Sequence, residues 1–327
     1  KMDFTFSNDK KGTLFLGLMM PNYRGKVVNI ISCSIVDSWF TSTLEYAREW
    51  WLESGLQAYR HHCDKGSLRS LTLRRSHTTG DTMAILTVSG NPEYALTQKH
   101  LDSLVEKLSP MVSSIFVTIQ QIKKGSPTQF FEWKLYGSDT ITETFSRFSF
   151  DISPSAFFQP NSLQAEKLFS EAIALLDPSP DDIVYDLYCG IGTLGTYASP
   201  YVKKVYGIEL CAAAALDARE NIKKNGITNM EIFTGDTGAL VTDIEEKPSA
   251  VIVDPPRSGL DNKTLSFLKG TLPPKILYIS CNPKTQKDNV EALMASGYVV
   301  TAIQPVDQFP HTPHLENIVL LTHNTSL

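Results

Sequence analysis

The sequence predicts an α/β protein in two parts: a Rossmann-like, mostly parallel sheet in residues 151–327, preceded by a smaller β-rich α+β domain in residues 1–150. Three observations carry this prediction. The second half alternates short apolar runs with helix-length segments, a glycine-rich loop follows the first of those runs, and the first half reads as strands and hairpins.

At 327 residues the chain can bury two cores, and its 42% hydrophobic and 20% charged residues are ordinary for a globular protein. No apolar run reaches the roughly 18 residues of a spanning helix. The start at Lys1, without a basic-then-apolar pattern, suggests a missing upstream segment rather than a secretion signal. Cys33, Cys63, Cys189, Cys211 and Cys281 are odd in number and widely spaced, which argues for a reducing cytoplasm rather than a disulfide framework. The net charge of -5 points away from nucleic acid, but Arg60–Arg75 sets five cations against the single acid Asp64. Such a stretch is either a solvated strand face or a phosphate-binding patch.

In the first half, Leu68–Leu73 and Thr82–Val88 flank a break at Thr79-Gly80-Asp81, and helices are expected near Thr41–Ser54 and Leu96–Leu108. The domain boundary is expected near Phe150–Asn161, with Ser162–Leu176 as the entry helix. Strands follow at Ile183–Leu187, Lys204–Ile208, Met230–Phe233, Ala250–Val253, Ile276–Ile279, Tyr298–Ile303 and Asn317–Leu321. Helices are expected at Cys211–Asn225 and Pro283–Ala295. The last two strands lack a helix between them, so the final one is open to an antiparallel placement.

Gly190-Ile-Gly192-Thr-Leu-Gly195 is a literal G-x-G-x-x-G, and Glu209 ends the next strand 19 residues past Gly190. A dinucleotide-binding dehydrogenase fits that loop. Asp186, expected on the rim beside it, would repel a pyrophosphate but suit the sulfonium and ammonium of S-adenosylmethionine. Three further strand ends carry chemistry. Asp254-Pro-Pro-Arg257 turns sharply and exposes an acid and a base. Ser280-Cys281-Asn282-Pro283 sets a thiol just before a helix start, where the helix dipole is expected to favour thiolate and make Cys281 the most nucleophilic of the five cysteines. His311-Thr-Pro-His314-Leu-Glu316 offers a general base in Glu316 and is a poor fit to metal-ligand spacing. A thiolate that adds to carbon-6 of uracil makes carbon-5 nucleophilic, and a base must then remove the carbon-5 proton, so Cys281 and Glu316 suit that reaction.

These stretches, with Phe157-Phe-Gln159-Pro-Asn161 and Gly207-Ile-Glu209, resemble the RNA uracil-5-methyltransferases, in order and spacing through the whole second half. The resemblance implies Cys281 as nucleophile, Glu316 as base, and S-adenosylmethionine contacts at Gln159, Tyr188, Gly190, Thr193, Glu209, Asp236 and Asp254. It implies substrate contacts at Arg257, Asn282, His311, Arg74 and Arg75, and RNA as partner, with the ribosomal RNA members closer than the transfer RNA ones. Many members carry an upstream OB-like domain and an iron–sulfur cluster on four cysteines; Cys33 falls where the fourth would lie and cannot hold a cluster alone. A target uridine must leave its stack, which favours a loop or unpaired uridine.

Overall fold

A computed structural model describes residues 1–21, 23, 25–123 and 125–323. The chain divides into two compact units, Lys1–Ile141 and Thr142–Leu327.

The first unit contains β1 (Met2–Asn8), β2 (Leu14–Met19), β3 (Val27–Asn29), α1 (Ser38–Ser54), β4 (Leu68–Arg75), β5 (Thr82–Ser89), α2 (Gln98–Leu108), β6 (Ser114–Gln121) and β7 (Gln129–Gly137). They form one sheet in the order β3-β2-β1-β4-β5-β6-β7. Its pairs are antiparallel except β5 with β6, which α2 joins as a crossover; the hairpin reading of this half did not include that parallel pair. Helix α1 starts earlier than expected because the Asp37 side chain caps it, accepting from Trp39 N at 2.8 Å. Trp50, Trp51 and Leu44 of α1 bury against Phe4, Phe6, Leu71 and Leu86 of the sheet. A helix stripe with two tryptophans against one sheet face is the main apolar burial of this unit.

In the second unit, β8 (Ile141–Phe145) and β9 (Phe148–Ile152) form a two-stranded sheet at its start. The larger sheet follows with α3 (Ser162–Leu176), β10 (Ile183–Leu187), α4 (Thr193–Ala198), β11 (Lys204–Glu209), α5 (Ala212–Lys224), β12 (Met230–Thr234) and α6 (Thr237–Leu240). It continues through β13 (Ala250–Val253), α7 (Asn262–Thr271), β14 (Lys275–Ser280), α8 (Pro283–Met294), β15 (Tyr298–Val306) and β16 (Glu316–His323). The strand order is β12-β11-β10-β13-β14-β16-β15. Strands β10 to β14 pair in parallel; β10, β13 and β14 are buried on both faces, which is why they read as continuous apolar runs, while β12 at the sheet edge exposes Glu231 and Thr234. Strand β16 is antiparallel to both β14 and β15, because the loop joining β15 to it holds no crossover helix. No helix among the described residues is long and apolar enough to cross a membrane.

Candidate active site

The glycine loop is held by carboxylates. Tyr188, Gly190 and Gly192 all have positive φ (62°, 56° and 81°), so the chain reverses sharply between β10 and α4. Glu209, at the end of β11, accepts from Gly190 N at 2.9 Å and from Cys211 N at 2.7 Å. Asp186 accepts from Gly195 N at 2.8 Å, and a Cβ on Gly195 would lie 2.9 Å from that same carboxylate, so only glycine permits the approach.

Here the structure corrects an expectation. Asp186 does not stand on the rim: it is fully buried, and burial pushes its carboxyl up to about 7, against the pull of the Gly195 N–H. Its part is to anchor the loop from below. The case against a pyrophosphate rests instead on the N–H groups of Gly190 and Gly195, which already serve Glu209 and Asp186.

Three adjacent strands, β13, β14 and β16, deliver the reactive residues. Asp254 follows β13, where its N–H reaches the Leu187 carbonyl, and burial pushes its carboxyl up to about 7. Cys281 follows β14, and Asn282 caps α8 with Pro283 at the first helical position. Asn282 Nδ2 donates to the Arg257 carbonyl at 2.8 Å, and Thr285 Oγ1 donates to the same oxygen at 3.1 Å, so the Asp254–Arg257 turn is tied to the start of α8. Glu316 opens β16 and is only 3% exposed. Glu316 acts electrostatically on Cys281, and both feel Asp254 and Arg257. Residues scattered over sixty positions of sequence thus form one charge cluster.

The thiol differs from expectation. The helix dipole was expected to lower the Cys281 pKa; the structure raises it. Burial contributes most, the Glu316 and Asp254 carboxylates add to it, and the Arg257 guanidinium opposes without prevailing. A dipole screened at a helix end cannot outweigh burial together with two carboxylates.

Glu316 is pushed from 4.5 up to about 8, first by burial and then by Asp254, with Arg257 opposing. The folded chain therefore holds this proton more tightly than an unfolded one, and stability falls as pH rises. The penalty is absent below about 4.5, grows through the interval and is complete above about 8. Glu316→Gln is expected to remove on the order of a few kcal/mol of that fall, read from denaturant titrations at stepped pH. An unchanged slope would assign the fall to other groups.

Not every expected residue joins the cluster. The Tyr188 hydroxyl donates to Asp261 at 2.6 Å and to Thr264 at 3.0 Å, so its polar end is already engaged by α7 and its cap. Asp236 caps α6 without a side-chain cap bond and pairs with Lys263 at 3.4 Å on the surface. Thr193 opens α4 and is buried. His311 is exposed at a positive φ of 67°; it is His314 whose Nδ1 lies 3.3 Å from the Arg257 guanidinium. In the first unit, Arg74 is buried in β4, Arg75 pairs with Asp37 at 2.5 Å, and Arg69 stacks on Tyr59 at 3.5 Å. Strand alternation splits the run Arg69–Arg75 between faces, so the stretch is not the continuous cationic surface that its composition suggested. Cys33 is a free, half-buried thiol, and among the described residues no three His, Cys, Asp or Glu side chains gather as a metal site, so these residues do not form a cluster site.

A cofactor with hydroxyl and N–H donors fits the loop side. Gln159 is 8% exposed, and its Oε1 has no hydrogen-bond partner. A buried acceptor left unpaired costs free energy that a ligand donor would restore. No atom lies within 4 Å of a Cβ placed on Gly190, which leaves space against the loop. Glu209 accepts two backbone N–H bonds and keeps further acceptor capacity on its carboxylate at the same loop.

Comparison with known proteins gives consistent matches. The family described as tRNA (uracil-5-)-methyltransferase matches residues 96–324. An uncharacterized RNA methyltransferase of Protochlamydia amoebophila is 48% identical over 98% of this chain and 78% of its own length. One from Chlamydia trachomatis is 40% identical over 98% of this chain and 83% of its own. Among solved structures, the tRNA (uracil-54, C5)-methyltransferase of Pyrococcus abyssi, in complex with S-adenosyl-L-homocysteine, is similar at a TM-score of 0.75 and 25% identity, covering 98% of this chain and 75% of that one.

Proposed function

We propose, from the premise that this chain belongs to the tRNA (uracil-5-)-methyltransferase family and is an S-adenosylmethionine-dependent RNA methyltransferase, that it methylates carbon-5 of a uridine through a covalent adduct on Cys281. The observation that carries this reading is that Cys281, Glu316, Asp254 and Arg257 stand at three neighbouring strand ends, where both carboxyls and the guanidinium act on the Cys281 thiol.

S-adenosylmethionine supplies a methyl group made electrophilic by the sulfonium. Gln159 and Glu209 would hold it, and the carboxyl of Asp254 would lie between it and the base. The Cys281 thiol gives its proton to solvent as its sulfur adds to carbon-6 of uracil, which makes carbon-5 nucleophilic. After carbon-5 has gained the methyl group, Glu316, having released its own proton to solvent, takes the carbon-5 proton as a carboxylate. The electron pair of that C–H bond forms the ring double bond as the carbon-6–sulfur bond breaks, and the thiolate is returned.

The raised values of Cys281 and Glu316 have a use in this scheme. Before substrate arrives, both groups are held largely neutral, which avoids two adjacent anions in a buried site. Arg257 faces both and stabilises whichever is ionised as the reaction proceeds. A uridine in a loop or unpaired segment is the expected target, since it must leave its stack; efficient methylation of a fully paired uridine would overturn that part.

Ribosomal RNA is the first substrate class proposed. Transfer RNA is the second, and the description of the matching family and the activity of the Pyrococcus protein favour it. Methyl-labelled S-adenosylmethionine, offered with unmodified ribosomal and transfer RNA separately and followed by nucleoside digestion, tests both. Label in 5-methyluridine from one pool is expected and identifies the class; label in another nucleoside would overturn the covalent scheme.

A further inference from the structure

The turn that carries Gln159 and the loop that leads to Glu316 are joined by two reciprocal hydrogen bonds. Gln308 Nε2 donates to the Asn161 carbonyl at 3.1 Å, and Asn161 Nδ2 donates to the Gln308 carbonyl at 3.1 Å. Asn161 is also the cap of α3, its Oδ1 accepting from Gln164 N at 3.4 Å. One amide pair therefore ties the cofactor-side turn, the start of α3 and the base-bearing loop together.

Gln308 is 0% exposed, and its Oε1 has no hydrogen-bond partner. The same is true of Oε1 of the buried Gln159, two residues before Asn161. The Gln308 nitrogen serves the clamp, but its oxygen is buried with no partner, which costs free energy that a clamp built for stability alone has no reason to carry. Two stranded acceptors on the two sides of one clamp call for a ligand that brings N–H donors.

We propose that Gln308 is a ligand-binding and positioning residue. Its side-chain carbonyl, with that of Gln159, accepts hydrogen bonds from an N–H donor of the bound molecules. Its amide nitrogen meanwhile holds the cofactor-side turn in register with the loop that carries Glu316. This rests on the uracil-5-methyltransferase reading of the site, under which two such donors arrive: the α-ammonium of S-adenosylmethionine and the N3–H imide of uracil. The ammonium has three donors and a charge, so it can serve both oxygens; the imide can serve one.

Gln308→Met tests this, since it keeps the volume and removes both polar atoms. The affinity for S-adenosylhomocysteine and for 5′-methylthioadenosine, which lacks the ammonium, is measured by calorimetry, with kcat and the KM for RNA alongside. If the donor is the ammonium, S-adenosylhomocysteine binding falls about ten- to a hundredfold while methylthioadenosine binding is unchanged. If the donor is the imide, both nucleoside affinities hold and the KM for RNA rises by about tenfold. Unaltered affinities, KM and kcat in a protein with wild-type melting behaviour would overturn the proposal. Should Gln308→Met fail to fold, Gln308→Asn keeps the amide but withdraws it by one methylene, and the same measurements apply. Calorimetry needs no turnover: a wild-type protein that binds S-adenosylhomocysteine but methylates no uridine would sink the functional reading and leave the clamp testable. A Gln308→Met protein matching an active wild type in every constant would sink the clamp alone.

Discussion

Cys281→Ala is expected to lower methyl transfer to RNA by at least about 10³-fold while leaving S-adenosylhomocysteine affinity within about threefold. The size follows from the chemistry. Carbon-5 of an intact uracil ring is a poor nucleophile, and the other two thiols of this unit stand away from the strand ends of β13, β14 and β16. Cys189 is buried with its thiol pushed well above the ordinary value, and Cys211 is exposed at the start of α5. Cofactor affinity should persist because the carboxylates that anchor the glycine loop are Glu209 and Asp186, which the substitution leaves in place. A filter-binding assay with labelled S-adenosylmethionine, paired with calorimetry, reads both quantities. Turnover above about a tenth of the wild-type rate would remove Cys281 from the role of nucleophile.

Glu316→Gln is expected to separate the two halves of the reaction. The amide cannot take the carbon-5 proton, so methyl transfer should occur once per protein molecule and the product should stay bonded to Cys281. A protein–RNA species that survives denaturing electrophoresis and carries the methyl label is the expected result, with steady-state turnover reduced by at least about 10²-fold. The substitution also removes the carboxylate that forms above about pH 8 and raises the Cys281 pKa, so the first addition should become easier at alkaline pH. Release of methylated RNA at the normal rate would assign proton removal to another group. Asp254, buried and raised to about 7, would be the next candidate.

Much of the site was legible in the chain. Asp186, Glu209, Asp254 and Cys281 could be located because each ends or follows an apolar run of strand length before a glycine loop, a proline or a helix start, and Glu316 because it leads into such a run. What those side chains do once folded was not legible. Asp186 and Glu209 look alike in sequence, yet one is buried beneath the loop and the other closes its rim. Gln308 carried no signal at all, because its partner Asn161 lies 147 positions away and a lone glutamine before Phe-Pro is unremarkable. Arg74 and Arg75 differ by one position and therefore point to opposite faces of β4, where one is buried and the other pairs with Asp37.

The sequence alone determined the order of elements, the parallel run of strands from β10 to β14, the glycine loop and the residues proposed to react. These depend on local periodicity, on backbone restrictions at Gly and Pro, and on side-chain chemistry, all of which are written within a few positions of each residue. The tertiary structure decided the antiparallel seating of β16, the burial of Asp186, the upward shift of Cys281 and Glu316, and the clamp between Asn161 and Gln308. Burial and the field of neighbouring charges depend on which distant segments arrive at the same strand ends, and that is settled only when the sheet is assembled.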